Sequence, residues 1–328
     1  MASREYSKRL GVISDEQLQA AAGRFGLGRL IAAEAAPGGL FGQNIFLETT
    51  AGQFVLRGNQ HGNWQLAKER HISGRVHEAG CVPVPWPYEI DAGTDIFGWA
   101  YAITPRLPGT SGEAAFGGHH RAARDPAFAY ATGVSLGRLH ETPVDAAGKY
   151  ELAEDGLVPL TMTHVQAVRA DVDALVAASR AASSATTDSD CEWVDELFEP
   201  ARPALSQPFR PTIIHLDYAP GNSVGVRDGD GWRVTGIVDW MTAEAGDPEA
   251  DLARMLSLYL GAPETAGPFI EGYRSIQPER EGSRERFPAY MLLDRLLIWE
   301  YGQRNRVWFE AGVSMREWIE PFTRMMER

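Results

Sequence analysis

Residues 209–256 read FRPTIIHLDYAPGNSVGVRDGDGWRVTGIVDWMTAEAGDPEADLARML, and this stretch decides the fold. Short apolar strands, one entered at Ile213-Ile214 and another ending at Ile237-Val238, alternate with loops rich in acid, amide and histidine. Alternation of this kind delivers polar groups at the ends of buried strands. The turn Arg227-Asp228-Gly229-Asp230-Gly231 is a β-hairpin signal and predicts that Asn222 and Asp239 are held side by side. Phosphoryl transfer to an alcohol needs an acceptor for the hydroxyl proton, oxygen ligands for Mg²⁺, and cations or amides on the phosphates. Asp217 is the candidate proton acceptor, and Asn222 with Asp239 form a hard-oxygen set suited to Mg²⁺. Chance alone places H-x-D-x-x-x-x-N in roughly one chain of this composition in 150. His215 reads as a core histidine holding loop backbone, and the competing reading of Asp217 is a turn cap.

Upstream, Ser14-Asp15 followed by EQLQAAAGRF predicts a helix over 14–25. LIAAEAAPGGLFGQNIFLETTAGQFVLRG predicts three antiparallel strands, 64–79 a helix ended by Gly80, and 96–104 a further strand. The cluster PRLPGTSGE at 105–113 reads as a hinge. Downstream, helical periodicity dominates at 128–141, 161–178, 191–205, 251–260, 287–303 and 314–327. Residues 177–190, AASRAASSATTDSD, are small and polar and read as a flexible excursion. The expected fold is therefore α+β, with an antiparallel β lobe over 1–104, a mainly helical lobe over 105–328, and the hinge at 104–109.

With 328 residues the chain has ample length for a buried core. A net charge of −13 disfavours nucleic acid and anionic membrane as partners and favours cationic small molecules. Cys81 and Cys191 lie far apart and without metal-ligand spacing, so neither a disulfide framework nor a zinc site is expected. No run of about 18 apolar residues occurs, and the segment MASREYSKRL lacks an apolar core, which together predict a cytoplasmic location. No glycine fingerprint sits between a strand and a helix, which argues against a dehydrogenase. Monomer and dimer both remain open.

The motifs closely resemble those of the aminoglycoside phosphotransferase family, the antibiotic-kinase and choline-kinase-like branch of the protein-kinase fold. His215-x-Asp217-x-x-x-x-Asn222 matches its catalytic loop, and Asp239 in IVDW matches its metal aspartate. Gly246-Asp247-Pro248-x-x-Asp251-Leu252-Ala253 matches the element that braces the catalytic segment. The resemblance implies a bilobal fold with ATP or GTP as co-substrate and Mg²⁺ as cofactor. It places Gly42 and Asn44 in the phosphate-covering loop, Arg57 as the strand cation on the phosphates, and Glu69 as the residue that orients it. Protein kinases have lysine where Arg57 stands; a guanidinium forks onto phosphate or carboxylate and is not interchangeable with an ammonium. Thr104 and Arg106 fall in the linker whose backbone bonds the purine, where Pro105 has no N–H to offer.

In such a family the acceptor pocket draws on the C-terminal helices, and DRLLIWEYGQRNRVWFE offers Asp294, Trp299 and Glu300, with Tyr301, Trp308 and Glu310 beside them. Carboxylates mixed with aromatics suit a cationic, partly apolar molecule, although an amphipathic helix with a solvated acidic face has the same composition. An aminoglycoside or related antibiotic is the leading expectation for the acceptor, with resistance as the role. A macrolide kinase, a metabolic kinase acting on choline, homoserine or a sugar, and a non-catalytic nucleotide-binding regulator are the alternatives. Retention of Asp217, Asn222 and Asp239 together argues against the last.

Overall fold

The computed structural model describes residues 3–7, 10–36, 43–58, 64–151, 156–310 and 312–327. In chain order the elements begin β1 (Ser3–Ser7), β2 (Gly11–Ser14), α1 (Asp15–Arg24), β3 (Leu30–Ala35), β4 (Gln43–Thr49), β5 (Gly52–Gly58), α2 (Trp64–Ala79), β6 (Glu89–Asp91), β7 (Tyr101–Pro105), β8 (Thr110–Ser111) and α3 (Gly112–Phe116). There follow α4 (His119–Arg124), α5 (Pro126–Leu139), β9 (Gly148–Glu151), β10 (Gly156–Pro159), α6 (His164–Ala182), α7 (Asp188–Phe198), α8 (Arg202–Leu205) and β11 (Thr212–Ile214). The last are β12 (Ser223–Asp228), β13 (Gly231–Ile237), β14 (Glu244–Gly246), α9 (Glu249–Leu256), α10 (Gly267–Arg274), α11 (Ser283–Asn305) and α12 (Met315–Thr323).

These elements form two compact units. The first holds Met1–Phe116, Glu151–Gly156 and Gly221–Met241; the second holds Gly117–Tyr150, Leu157–Pro220 and Thr242–Arg328. This grouping differs from a simple division at 104–109, because β8 and α3 stay with the first unit and the β12–β13 hairpin returns to it. The reason is strand pairing: Thr110 and Ser111 pair with Gly225 and Val224 of β12. Gly109 makes that approach possible, since a Cβ there would lie 2.1 Å from the Gly225 carbonyl oxygen, at a φ of +104°.

Within the first unit the antiparallel sheet runs β3-β4-β5-β7-β6. Alternation along β4 buries Ile45 and Leu47 and exposes Glu48, and Leu56, Tyr101 and Ile103 join them with Leu18 of α1 in one core. Leu66, Tyr88, Ala100 and Ala102 form a second cluster. The predicted first helix starts with a capping box, Ser14 Oγ accepting from Gln17 N and Gln17 Oε1 from Ser14 N. The strand predicted over 96–104 is shorter, because Gly98 takes a φ of +80° and its amide bonds back to Thr94. In the predicted hairpin Asp228 pairs with Gly231 around a two-residue turn, Gly229 supplying a φ of +59°.

Within the second unit α5 and α10 pack backbone against backbone. A Cβ on Gly133 would meet the Phe269 carbonyl oxygen at 2.2 Å, and one on Gly272 the Tyr130 carbonyl oxygen at 2.2 Å. Helix α10 is not among the helices expected from periodicity; it opens with Gly267-Pro268, and proline in the first turn is a helix start. Residues 177–190 are not the flexible excursion expected of them. Helix α6 continues to Ala182, Ser179 is fully buried, and Thr187 caps α7 through Asp190 N. The Asp190 carboxylate accepts from the Thr187 and Arg316 amides, so the small polar residues here cap and pack. Both cysteines are free. Among the described residues no helix is long and apolar enough to cross a membrane.

Candidate active site

In the first unit, Arg57 on β5 faces Glu69 on α2 and Asp239 just beyond β13. Its Nη2 donates to Glu69 Oε1 at 2.7 Å and to Asp239 Oδ1 at 2.9 Å. Glu69 is 2% exposed and accepts further from Gln65 Nε2 and Tyr88 OH, which makes it a buried partner of Arg57. Burial opposes the charge on Arg57, yet the Glu69 and Asp239 carboxylates hold its guanidinium above its already high ordinary range. Burial also lifts the Glu69 carboxyl above the usual range against the pull of Arg57. Three donors, Arg57 Nη2, Gln65 Nε2 and Tyr88 OH, converge on its two oxygens.

Asn44 stands directly opposite Arg57 across the β4–β5 ladder, on the same face of the sheet. Gly42 lies outside the described residues. Asn222 and Asp239 flank the open end of the β12–β13 hairpin, where Ser223 pairs with Ile237 and Val238 N donates to Asn222 O at 3.0 Å. Asp239 has a φ of +70°, a left-handed conformation that aspartate tolerates better than most residues.

Replacing Arg57 by methionine strands the buried Glu69 carboxylate and is expected to cost about 3 kcal/mol of stability, read by urea unfolding. Adding Glu69→Gln should recover most of that loss, because the amide oxygen keeps the Tyr88 hydrogen bond. Additive losses in the double variant would contradict the pairing.

In the second unit, Asp217 follows β11 in a loop whose preceding amides are held by a buried carboxylate. Asp251 on α9 accepts from His215 N at 2.7 Å on one oxygen and from Leu216 N at 2.6 Å on the other. Leu216 takes a φ of +60°, a left-handed conformation uncommon for a residue with a side chain of this size. His140 Nε2 lies 3.1 Å from Asp251 Oδ2; a carboxylate only accepts, so Nε2 donates, and Nδ1 takes the Tyr273 hydroxyl. Burial alone would raise Asp251, but the His140 hydrogen bond and the fields of His140 and His215 hold it below the usual carboxylate range.

His215 is fully buried, its Nδ1 accepting from Asp217 N and its carbonyl from Thr242 Oγ1. Asp247, 1% exposed, accepts from Tyr290 OH, Arg280 Nη1 and Glu249 N. Glu249 in turn forms a two-pronged pair with fully buried Arg286. Arg254 Nη2 donates to Asp217 Oδ1 at 2.7 Å.

Several expected binding residues are otherwise engaged. The Arg106 amide donates to Gln53 O at 3.0 Å, extending the β5–β7 ladder, so it is not a donor for a purine. The Arg106 guanidinium lies over the Phe46 ring. Thr104 is buried opposite Val55. Trp299 is fully buried against Phe309 and Trp318, with Nε1 donating to Thr186 Oγ1, so it is a core residue and not a pocket wall. Asp294 is bonded by Arg295, and Glu300 accepts from Arg304 Nε at 2.7 Å. Tyr301 and Trp308 stack, and Trp308 is 57% exposed.

The sequence reading also missed His140, Tyr88 and Arg254. Arg254 left a trace there, since it stands three residues after Asp251 on the same helix face.

Among the described residues no group of three or more His, Cys, Asp or Glu side chains is arranged to hold a metal. Asn222 and Asp239, one amide and one carboxylate, instead match an ion that takes its remaining oxygens from phosphates and water, as Mg²⁺ does.

The architecture is an α+β fold of the protein-kinase type. A model of the phosphotransferase enzyme family (APH) matches residues 32–286, and the chain belongs to that family. It is an enzyme, a kinase. A thermostable mutant of aminoglycoside phosphotransferase APH(4)-Ia, in ternary complex with ADP and hygromycin B, is similar in fold: TM-score 0.64 at 14% identity, over 93% of this chain and 97% of that one. The macrolide 2'-phosphotransferase MphH of Brachybacterium faecium has a TM-score of 0.58 at 20% identity, over 94% and 97%. The GDP complex of wild-type aminoglycoside 2'-phosphotransferase-IIIa has 0.62 at 16%, over 98% of each chain. The comparison with curated proteins gave no match.

Proposed function

We propose that this kinase transfers the γ-phosphoryl group of ATP or GTP to a hydroxyl of an antibiotic, with an aminoglycoside or related cationic natural product first among acceptors. The observation that carries the reading is the loop of Asp217, whose preceding backbone amides are clamped by buried Asp251. Asp217 orients the acceptor hydroxyl and takes its proton as the oxygen attacks phosphorus. Arg57, steadied by Glu69, neutralises the phosphates. Asn222 and Asp239 would hold Mg²⁺, which would offset the charge of the phosphates. Transfer is direct and in line, without a phosphoenzyme. Resistance is the role that goes with this acceptor class, and the cytoplasm, with its nucleotide pool, is the location we assign. The ADP, GDP and hygromycin B in the similar structures support nucleotide and small-molecule binding.

A macrolide is the second reading. It is favoured by the state of α11, where Asp294 and Glu300 are already bonded by arginines while the Tyr301–Trp308 stack faces outward. The test is nucleoside diphosphate release with Mg²⁺ and ATP or GTP across aminoglycosides, hygromycin B, macrolides and small alcohols. Stimulation by aminoglycosides supports the first reading, and stimulation by macrolides alone replaces it with the second. Release with none of the antibiotics but with a small alcohol would overturn both.

A further inference from the structure

We infer that Arg254 is a positioning residue for the transfer, tethering the carboxylate of Asp217 to helix α11 through Asp294. The inference rests on the reading of Asp217 as proton acceptor and concerns what fixes that side chain. Asp251 fixes the backbone before it, but a backbone clamp leaves an aspartate its choice of rotamers. Asp217 is 40% exposed on its side chain, Arg254 20% and Asp294 10%, so the chain of charges runs from an accessible carboxylate inward.

Arg254 Nη2 donates to Asp217 Oδ1 at 2.7 Å, and its Nε faces Asp294 Oδ1 at 3.8 Å. Asp294 also accepts from Arg295 Nε at 2.8 Å, and the Arg295 guanidinium lies 4.8 Å from the centre of the Phe322 ring on α12. Two carboxylates and two guanidinium groups thus close a neutral set, of which Asp294 and Arg295 on α11 are nine-tenths buried at the side chain. Burial works against the charge of Arg254, and Asp294 with Asp217 more than restores it. A guanidinium stays protonated throughout and exchanges no proton with Asp217; it selects one orientation of the carboxylate. Helix α9 therefore supplies both restraints on the catalytic loop, Asp251 to the backbone and Arg254 to the side chain.

The test compares Arg254→Gln, Arg254→Lys, Asp294→Asn and the Arg254→Gln/Asp294→Asn double variant. Each is assayed with the acceptor that stimulates the wild type, or by Mg·ATP and Mg·GTP hydrolysis in water where none does. Arg254→Gln is expected to lower kcat on the order of 10- to 100-fold, the scale of a misplaced reacting group, with nucleotide and acceptor KM within about twofold. Lysine should restore part of kcat, because it reaches Asp217 but cannot fork toward Asp294. Asp294→Asn should lose less, and the double variant no more than Arg254→Gln alone. Wild-type kcat in Arg254→Gln, or additive losses in the double variant, would overturn the tether. If the glutamine variant does not fold, Arg254→Lys and Asp294→Asn carry the same cycle, with additivity again the overturning result. Full turnover in Asp217→Asn would instead remove the premise, whereas a dead Asp217→Asn beside an unimpaired Arg254→Gln removes the tether alone.

Discussion

Asp217→Asn is expected to lower acceptor-dependent turnover by about 10²- to 10⁴-fold, the range over which a positioned general base acts. Nucleotide affinity and the urea midpoint should change little. The side chain is 40% exposed, its loop is held through the His215 and Leu216 amides, and Arg254 keeps Asp294 as a second carboxylate. Steady-state kinetics with nucleotide titration separates the two quantities. Equal turnover in variant and wild type would exclude Asp217 as the proton acceptor. A parallel loss of nucleotide binding would mean that the loop, and not the carboxylate, had been damaged.

Asp251→Ala should be the most damaging single change to stability near the site, about 3 to 5 kcal/mol, because it strands two amides and the His140 ring at a fully buried position. Turnover should fall with it even in the folded fraction, since the left-handed backbone of Leu216 loses the acceptor that holds it in place. Acid sensitivity provides a second measure. The Asp251 carboxyl is held below its ordinary value of 3.8 in the folded chain, so on acidification the unfolded chain takes up this proton first. The stabilisation is complete above that value and is lost as the pH falls through the folded one. Urea midpoints from pH 6 down to pH 3 should therefore fall more steeply for the wild type than for Asp251→Asn. Parallel slopes would show that Asp251 does not titrate in this way.

The hairpin that carries Asn222 and Asp239 was legible because its pairing is local. One two-residue turn between two short strands is enough to bring 222–223 beside 237–238. Helix α11 was itself expected over 287–303, but which of its side chains are core was not legible, for the opposite reason. Arg286, Arg295, Trp299 and Glu300 are all buried, so its polar residues do not trace a solvent face and its tryptophan does not trace a pocket. Which side of α11 faces Trp318 and Phe309 is settled only by packing. Arg106 illustrates a third kind of gap: its amide is consumed because β5 and β7 pair in one particular register, which no property of residue 106 reveals. The small polar stretch at 177–190 resembles disorder in composition, yet Thr187 and Asp190 use that polarity to end one helix and begin the next.

The left-handed backbone at Asp239 narrows the routes by which this chain could lose its chemistry over generations. Glycine and asparagine occupy that conformation readily, whereas alanine, valine or glutamate there would strain the turn as well as remove the carboxylate. Each of the two tolerated replacements is a single nucleotide away from an aspartate codon. A duplicated gene could thus drift to an inactive copy in one step while its product kept the hairpin and its sheet intact. Silent, well-folded relatives carrying asparagine or glycine at this position are the lineages such a backbone permits, and they would be free to take up duties that need only the scaffold.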